Sequence, residues 1–141
     1  MGQDRKKSNR TILCVDDDKS NLASLCRVLR PLKYKLLVAD NGEDGLKLLG
    51  DEDIDLVLLD VMMPGMSGHT VMERMKELGK EEVPVVMVSG MQSGEDVIKG
   101  YEGGCVCYVT KPYKSEYITN VVRYLIGELP EKEREELALK L

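Results

Sequence analysis

The fold of this chain is decided by residues 56–68, which read LVLLDVMMPGMSG. Four consecutive apolar residues open this stretch and predict a short strand buried on both faces, as in parallel sheets covered by helices. The strand ends at a carboxylate, Asp60, and a Pro-Gly turn follows. Ligands of open α/β sheets bind outside the carboxyl ends of the strands. Asp60 is therefore a candidate site residue, although a single acid at this place also fits a simple turn cap.

The size and composition of the chain are those of one globular domain. It has 141 residues, of which 43% are hydrophobic and 32% are charged, with a net charge of -5 and a pI near 5.0. The acidic balance argues against nucleic acid as a partner. No apolar run reaches the length of a membrane span, and residues 1–10 have no apolar segment of a secretory signal. We therefore expect a cytoplasmic protein with no membrane partner.

Strand and helix patterns alternate five times along the chain. Strands are predicted at residues 11–15, 35–39, 56–59, 83–88 and 105–109, and helices around residues 22–32, 43–49, 68–78, 94–102 and 115–127. Such alternation predicts an α/β fold with a doubly wound, five-stranded parallel sheet flanked by five helices.

The two ends of the chain differ from this central pattern. Residues 1–10 are polar and are predicted to be a disordered leader, and residues 11–127 form the predicted domain. Pro130 and the acidic residues that follow it favour one more short helix, with Leu137 and Leu141 as a thin apolar stripe. Residues 128–141 are thus predicted to be a C-terminal helical extension or a linker.

The four cysteines do not show metal-site spacing. Cys105 and Cys107 alternate along the predicted fifth strand and are expected on one face of the sheet. A redox or metal pair remains an alternative there, but free cysteines are most often small buried hydrophobes. Reduced thiols agree with a cytoplasmic location.

Polar side chains of complementary kinds follow four of the predicted strands. Asp16 and Asp17 follow the first, Asp60 the third, Ser89 the fourth and Lys111 the fifth. Carboxylates that converge on one sheet edge repel one another, and a hard divalent cation such as Mg²⁺ relieves that repulsion. A cation site with a lysine and a hydroxyl is suited to a phosphoryl group that a carboxylate attacks. The alternative is that these strand-end residues are coincidental turn chemistry.

Taken together, the motifs make the chain resemble a receiver domain of the bacterial two-component response regulators. The resemblance covers about residues 10–127 and is carried by Val15-Asp16-Asp17, residues 59–68, Val88-Ser89-Gly90 and residues 108–113, which read YVTKPY. It implies a flavodoxin-like fold with strand order 2-1-3-4-5. It also implies that the Lys111-Pro112 peptide bond is cis.

The resemblance assigns roles to the strand-end residues. Asp60 is the implied phosphoacceptor, and the implied donor is a sensor histidine kinase or a histidine phosphotransfer protein. Asp17, Asp60 and the backbone carbonyl of Met62 are the implied ligands of Mg²⁺, or alternatively Mn²⁺, with Asp16 acting mainly through water. Lys111 and Ser89 are the implied contacts of the phosphoryl oxygens.

The resemblance also implies a conformational switch. Ser89 is expected to move towards the phosphoryl group, and Tyr108 is expected to swing into the space that this movement leaves. The surface of the fourth helix, fifth strand and fifth helix then changes, and a homodimer through that face is an implied assembly. The alternative for Tyr108 is a half-buried aromatic residue of a strand.

Two further positions bear on the lifetime of the phosphorylated form. In the family, the residues two past the acceptor and two past the hydroxyl flank the path of the hydrolytic water. Here they are Met62 and Met91, and neither thioether orients a water well. We therefore expect slow dephosphorylation.

The main hypothesis is a signalling switch that catalyses only its own phosphorylation and dephosphorylation. One alternative is a phosphatase or mutase with an aspartyl nucleophile, but such enzymes generally need a second acid where Met62 stands. Another is an interaction module that has kept the fold without the chemistry, against which Asp17, Asp60, Ser89 and Lys111 argue.

Overall fold

A five-stranded parallel sheet forms the centre of the protein. The computed structural model describes residues 9–127 and 129–141. The strands are β1 (Thr11–Val15), β2 (Lys35–Ala39), β3 (Leu56–Leu59), β4 (Val85–Ser89) and β5 (Cys107–Thr110). All pairings are parallel, and the strand order is β2-β1-β3-β4-β5. The predicted doubly wound sheet and its strand order are confirmed.

Helices connect the strands and cover both faces of the sheet. They are α1 (Lys19–Leu29), α2 (Gly42–Asp51), α3 (Gly68–Glu77), α4 (Gly94–Glu102), α5 (Ser115–Ile126) and α6 (Glu131–Ala138), with a short 3-10 turn at Arg30–Leu32 after α1. Pro31 lies in that turn, where its fixed φ is compatible with the tighter winding. The predicted C-terminal helix is confirmed as α6. Within the described ranges, no helix is long and apolar enough to span a bilayer.

The two faces of the sheet bury separate apolar layers because successive strand residues point to opposite sides. Leu13, Val57 and Leu59 pack on the side of α2 and α3. Ile12, Cys14, Leu56 and Leu58 pack on the opposite side, together with buried residues of α1 and α5. With both faces covered, the central strands β1, β3 and β4 carry the near-continuous apolar runs by which they were predicted.

Helix caps and one close backbone approach hold the loops around the carboxyl edge of the sheet. Asp18 caps α1 by accepting hydrogen bonds from the backbone N–H groups of Ser20 and Asn21. Ser67 caps α3, and the N–H of Gly68 donates to the carbonyl of Val61 at 2.9 Å. A β-carbon at Gly68 would overlap the carbonyl oxygen of Asp60. The start of α3 therefore lies directly against the backbone that carries Asp60.

The fifth strand differs from its prediction in a way that separates two cysteines. It begins at Cys107 instead of residue 105, because Gly104 has a φ of +112° and the N–H of Cys105 still donates to the carbonyl of Gly100 at 3.1 Å. Cys105 packs in the layer of α2 and α3, whereas Cys107 packs in the layer of α1 and α5. The expectation that both point to one face is wrong, since strand alternation starts only after the glycine turn.

The last helix folds back onto α5. Leu137 is buried, with 6% of its surface exposed. The guanidinium of Arg134 lies 4.5 Å from the centroid of the Tyr124 ring, which is within range for a cation–π interaction. The predicted leader falls largely on residues 1–8, which lie outside the described residues, so the domain boundaries stay predictions.

Candidate functional site

Three carboxylates meet at the carboxyl edge of the sheet. Asp16 follows β1, and Asp60 follows β3 with its N–H donating to the carbonyl of Val15 at 2.9 Å. Each of Asp16, Asp17 and Asp60 has a carboxylate oxygen that lies within 4.8 Å of a carboxylate oxygen of the other two. Asp16 and Asp60 are buried, whereas Asp17 is exposed. The predicted convergence of acids from two strands is present.

Lys111 provides positive charge beside two of these acids. Its Nζ lies 2.8 Å from Oδ2 of Asp16 and 3.6 Å from Oδ1 of Asp60. The backbone N–H of Lys111 donates to the carbonyl of Ser89 at 2.8 Å, which joins the ends of β4 and β5. The Lys111-Pro112 peptide bond is cis, as predicted. The ammonium is nearer to Asp16 than to Asp60, a preference that strand order alone does not indicate.

The environment of Asp60 disfavours its charged form. The pKa of Asp60 is raised to about 6, with burial as the largest cause; the ammonium of Lys111 lowers it, and the charges of Asp16 and Asp17 raise it. Burial lowers the pKa of Lys111, but its hydrogen bond to Asp16 and the charge of Asp60 outweigh burial, so that this pKa is raised overall. One ammonium thus incompletely compensates three carboxylates.

The acid cluster has the composition of a site for a hard cation. Its side-chain donors are all carboxylate oxygens, which Mg²⁺ prefers, and one of the three acids is open to solvent. A divalent ion would also offset the repulsion that raises the pKa of Asp60. The residues present therefore fit Mg²⁺.

Comparison with known proteins agrees with this geometry. The family model described as the response regulator receiver domain matches residues 12–123. A sensor histidine kinase, CheAY of Helicobacter pylori, is 36% identical over 119 residues, covering 82% of this chain and 15% of the kinase. The chain belongs to the response regulator receiver domain family. Such receiver domains are signalling modules that interact with histidine kinases.

Other relatives carry the receiver domain inside longer regulators. The transcriptional regulatory protein AfsQ1 of Streptomyces coelicolor is 31% identical over 116 residues, covering 82% of this chain and 51% of AfsQ1. The solved structure of the response regulator DrrB of Thermotoga maritima superposes with a TM-score of 0.73 at 35% identity, covering 83% of this chain and 52% of DrrB. The chain thus spans about half or less of the length of these relatives.

The predicted switch residues of the receiver domain lie side by side beneath the β4–α4 loop. Ser89 is fully buried, and its Oγ accepts a hydrogen bond from the N–H of Met91 at 3.1 Å. Tyr108 is buried, and its hydroxyl donates to the carbonyl of Met91 at 2.7 Å. A β-carbon at Gly100 would lie 2.9 Å from the Tyr108 ring, so the absence of a side chain there makes room for the ring. Both residues thus contact the same loop.

The two methionines predicted to affect dephosphorylation have different surroundings. Met62 is 64% exposed, two residues after Asp60. Met91 is partly buried and packs against the apolar layer on the side of α2 and α3. Its loop is tied to the site by Gln92, whose side-chain amide donates to the carbonyl of Lys111 at 3.0 Å. The sequence contains no signal that would have identified Gln92.

A mostly apolar cleft opens beside the acids on the side of α1 and α5. Its volume is about 450 Å³, and Leu25, Val28 and Tyr113 line it next to Asp60 and Lys111. Sequence reasoning missed this cleft, because its shape depends on how α1 and the β5–α5 loop pack against each other.

Proposed function

We propose that the protein is a phosphorylation-dependent switch in which Asp60 accepts a phosphoryl group from a phosphohistidine. The donor is a sensor histidine kinase or a histidine phosphotransfer protein. The observation that carries the proposal is the geometry around Asp60, where oxygens of two more carboxylates lie within 4.8 Å and the ammonium of Lys111 lies 3.6 Å from Oδ1. Membership of the receiver family supports the same function.

The chemistry that we propose is an in-line phosphoryl transfer. A carboxylate oxygen of Asp60 forms a bond to phosphorus while the bond from phosphorus to the histidine nitrogen breaks. With a pKa of about 6, Asp60 is mostly ionised at neutral pH and can act as a nucleophile. Lys111 is placed to contact the phosphoryl oxygens, because its ammonium lies 3.6 Å from Oδ1 of Asp60.

The metal that we propose is Mg²⁺, with Mn²⁺ as the alternative. Asp17, Asp60 and the backbone carbonyl of Met62 would hold it, and Asp16 would act mainly through water. When bound, such an ion offsets negative charge on the phosphoryl oxygens. Lys111 already pairs with Asp16, which favours an indirect role for that acid.

The readout that we propose is a change of the surface formed by α4, β5 and α5. A phosphoryl group on Asp60 adds close to two negative charges and strong acceptor oxygens near the buried hydroxyl of Ser89. If Ser89 turns towards these oxygens, the N–H of Met91 loses its acceptor and the β4–α4 loop moves. Tyr108 then loses the partner that its hydroxyl has on Met91. Because this face has changed, it is where we expect a target or a second copy to bind.

The proposal is tested by incubating the protein with acetyl phosphate and measuring its intact mass. In the presence of Mg²⁺ we expect a gain of one HPO₃ unit that does not form when a chelator is present throughout the incubation and is absent from Asp60→Asn. The matched control is Asp53→Asn, an exposed acid ahead of β3, which should keep the gain. Phosphorylation of the Asp60→Asn variant would overturn the assignment. Continuous phosphate release without a labelled protein would instead identify an aspartyl phosphatase.

A further inference from the structure

Helix α4 packs on the sheet with little buried surface of its own. Of the nine residues of α4, all of which the structure describes, only Gly100 is buried. Ile98 and Tyr101 expose 60% and 47% of their surfaces. Val97 is partly buried against the apolar layer on the side of α2 and α3. The position of α4 therefore depends on a few specific contacts with the strands beneath it.

Tyr108 of β5 makes such contacts with both ends of the segment that contains α4. Its hydroxyl donates to the carbonyl of Met91 at 2.7 Å, in the loop that leads into the helix. Its ring lies against Gly100, where an added β-carbon would come within 2.9 Å of it. Its backbone N–H donates to the hydroxyl of Tyr101 at 3.2 Å, in the last turn of the helix. One residue of β5 thus binds both the entry and the end of α4.

The N–H of Tyr108 points away from β4. The N–H of Lys111, three residues later, donates to the carbonyl of Ser89 in β4 at 2.8 Å, and successive N–H groups of an extended chain point to opposite edges. β5 is the edge strand of the sheet, so no further strand pairs with it. Edge strands leave such N–H groups open to solvent or to another chain. The hydroxyl of Tyr101 therefore takes the place that a neighbouring strand would have.

We propose that Tyr101 is a positioning residue that holds α4 in its resting place through the backbone of Tyr108 and thereby restrains the switch. This inference rests on the proposed function, in which the β4–α4 loop moves when Asp60 carries a phosphoryl group. Because α4 follows that loop directly and has no fully buried side chain, the moving loop displaces the helix. β5 stays paired with β4, so the hydroxyl of Tyr101 leaves the N–H of Tyr108. The hydrogen bond belongs to the resting form alone.

The loss of this hydrogen bond should shift the switch by a measurable amount. Tyr101→Phe keeps the ring and removes only the acceptor of the Tyr108 N–H. A neutral hydrogen bond of ordinary net strength changes an equilibrium constant by about fivefold. While the resting form predominates, the active form of the variant should therefore be populated about fivefold more than that of the wild type. Binding of Mg²⁺ alone should not change, since none of the proposed metal ligands lies on α4 or β5.

The first test compares Tyr101→Phe with the wild type by titration with beryllofluoride, which takes the place of the phosphoryl group on Asp60, in the presence of Mg²⁺. We expect the variant to bind beryllofluoride about fivefold more tightly and to be labelled by acetyl phosphate about fivefold faster. The dissociation constant for Mg²⁺ alone should be the same. The matched control is Tyr124→Phe on α5, which also loses a hydroxyl and keeps the ring that stacks on Arg134. It should behave as the wild type.

The second test follows the hydrogen bond itself through amide hydrogen exchange of Tyr108, measured by NMR. In the wild type this N–H should exchange slowly without ligand and faster once beryllofluoride is bound. In Tyr101→Phe without ligand it should exchange faster than in the wild type. The N–H of Lys111, which donates to Ser89, should exchange equally in both proteins without ligand. The measurement on the wild type needs no substitution and therefore does not depend on how the variant folds.

Three results would overturn the inference while leaving the proposed function intact. One is equal or weaker binding of beryllofluoride by Tyr101→Phe. Another is unchanged exchange of the Tyr108 N–H when the wild type binds beryllofluoride. The third is an equal gain in Tyr124→Phe, which would make the effect a general one of lost hydroxyls. A wild type that takes up neither beryllofluoride nor the phosphoryl group of acetyl phosphate would overturn the proposed function, and this inference with it.

Discussion

Replacement of Asp60 by asparagine should stabilise the fold at neutral pH when no divalent cation is present. Burial and the neighbouring acids raise the pKa of Asp60 from 3.8 to about 6. A shift of about two units corresponds to roughly 3 kcal/mol of unfavourable free energy when the group is ionised. Asparagine keeps the shape and removes the charge. Lys111 is not left unpaired, because its 2.8 Å contact with Asp16 remains.

The sign of the pH dependence follows from the direction of this shift. Because the folded form of Asp60 binds its proton more tightly than the unfolded form, the wild type loses stability as the pH rises from about 3.8 to about 6. Above this window the penalty is constant. The advantage of Asp60→Asn should therefore be about 3 kcal/mol at pH 7 and only about 0.6 kcal/mol at pH 4.

The assay is urea unfolding, followed by circular dichroism in the presence of a chelator, for the wild type and the variant at both pH values. Asp53→Asn is the control and should change the free energy of unfolding by less than about 0.5 kcal/mol, since this residue is exposed. Mg²⁺ at ten times its dissociation constant should restore about 1.4 kcal/mol to the wild type. A variant less stable than the wild type at pH 7, or an advantage equal at both pH values, would refute the reasoning.

Three further predictions concern the backbone, a helix cap and the lifetime of the phosphorylated form. Gly68→Ala should lower the free energy of unfolding by about 2–3 kcal/mol, because the added β-carbon meets the Asp60 backbone. The control is Gly50→Ala on α2, where the added β-carbon enters open space and should raise the free energy of unfolding by about 0.5–1 kcal/mol. Equal effects at both glycines would contradict the packing argument. Asp18→Ala should cost about 1 kcal/mol through loss of the α1 cap, and an unchanged urea midpoint would argue against that cap. Met62→Asn combined with Met91→Glu should speed dephosphorylation about fivefold, which is the equivalent of one hydrogen bond to the hydrolytic water. Unchanged or slower decay of the phosphorylated protein would contradict this prediction.

Much of the fold could be predicted because the three central strands, β1, β3 and β4, are buried on both faces and therefore have continuous apolar runs. The strand before Asp60 was predicted with its observed bounds, Leu56–Leu59, for this reason. Prediction failed at β5, where the positive φ of Gly104 delays the strand to Cys107. An isolated Gly-Gly pair does not indicate which residue after it first becomes extended.

The candidate site was predictable as a set of residues but not as a set of contacts. Parallel strands place their carboxyl ends at one edge, so the grouping of Asp16, Asp60 and Lys111 follows from the order of elements. The preference of Lys111 for Asp16 depends on side-chain rotamers, which the order of elements does not define.

Because α6 packs on α5, it competes with any partner that would bind the same part of α5. Leu137 buries its side chain and Arg134 stacks on Tyr124, so part of α5 is already occupied by the chain itself. A partner that needs this part must first displace α6, and exposing one leucine costs roughly 2 kcal/mol. Such a partner would bind about thirtyfold more weakly than to a chain truncated before α6. Binding of a partner that contacts only α4 and β5 would not be weakened, so the docked α6 would favour partners that leave this part of α5 untouched.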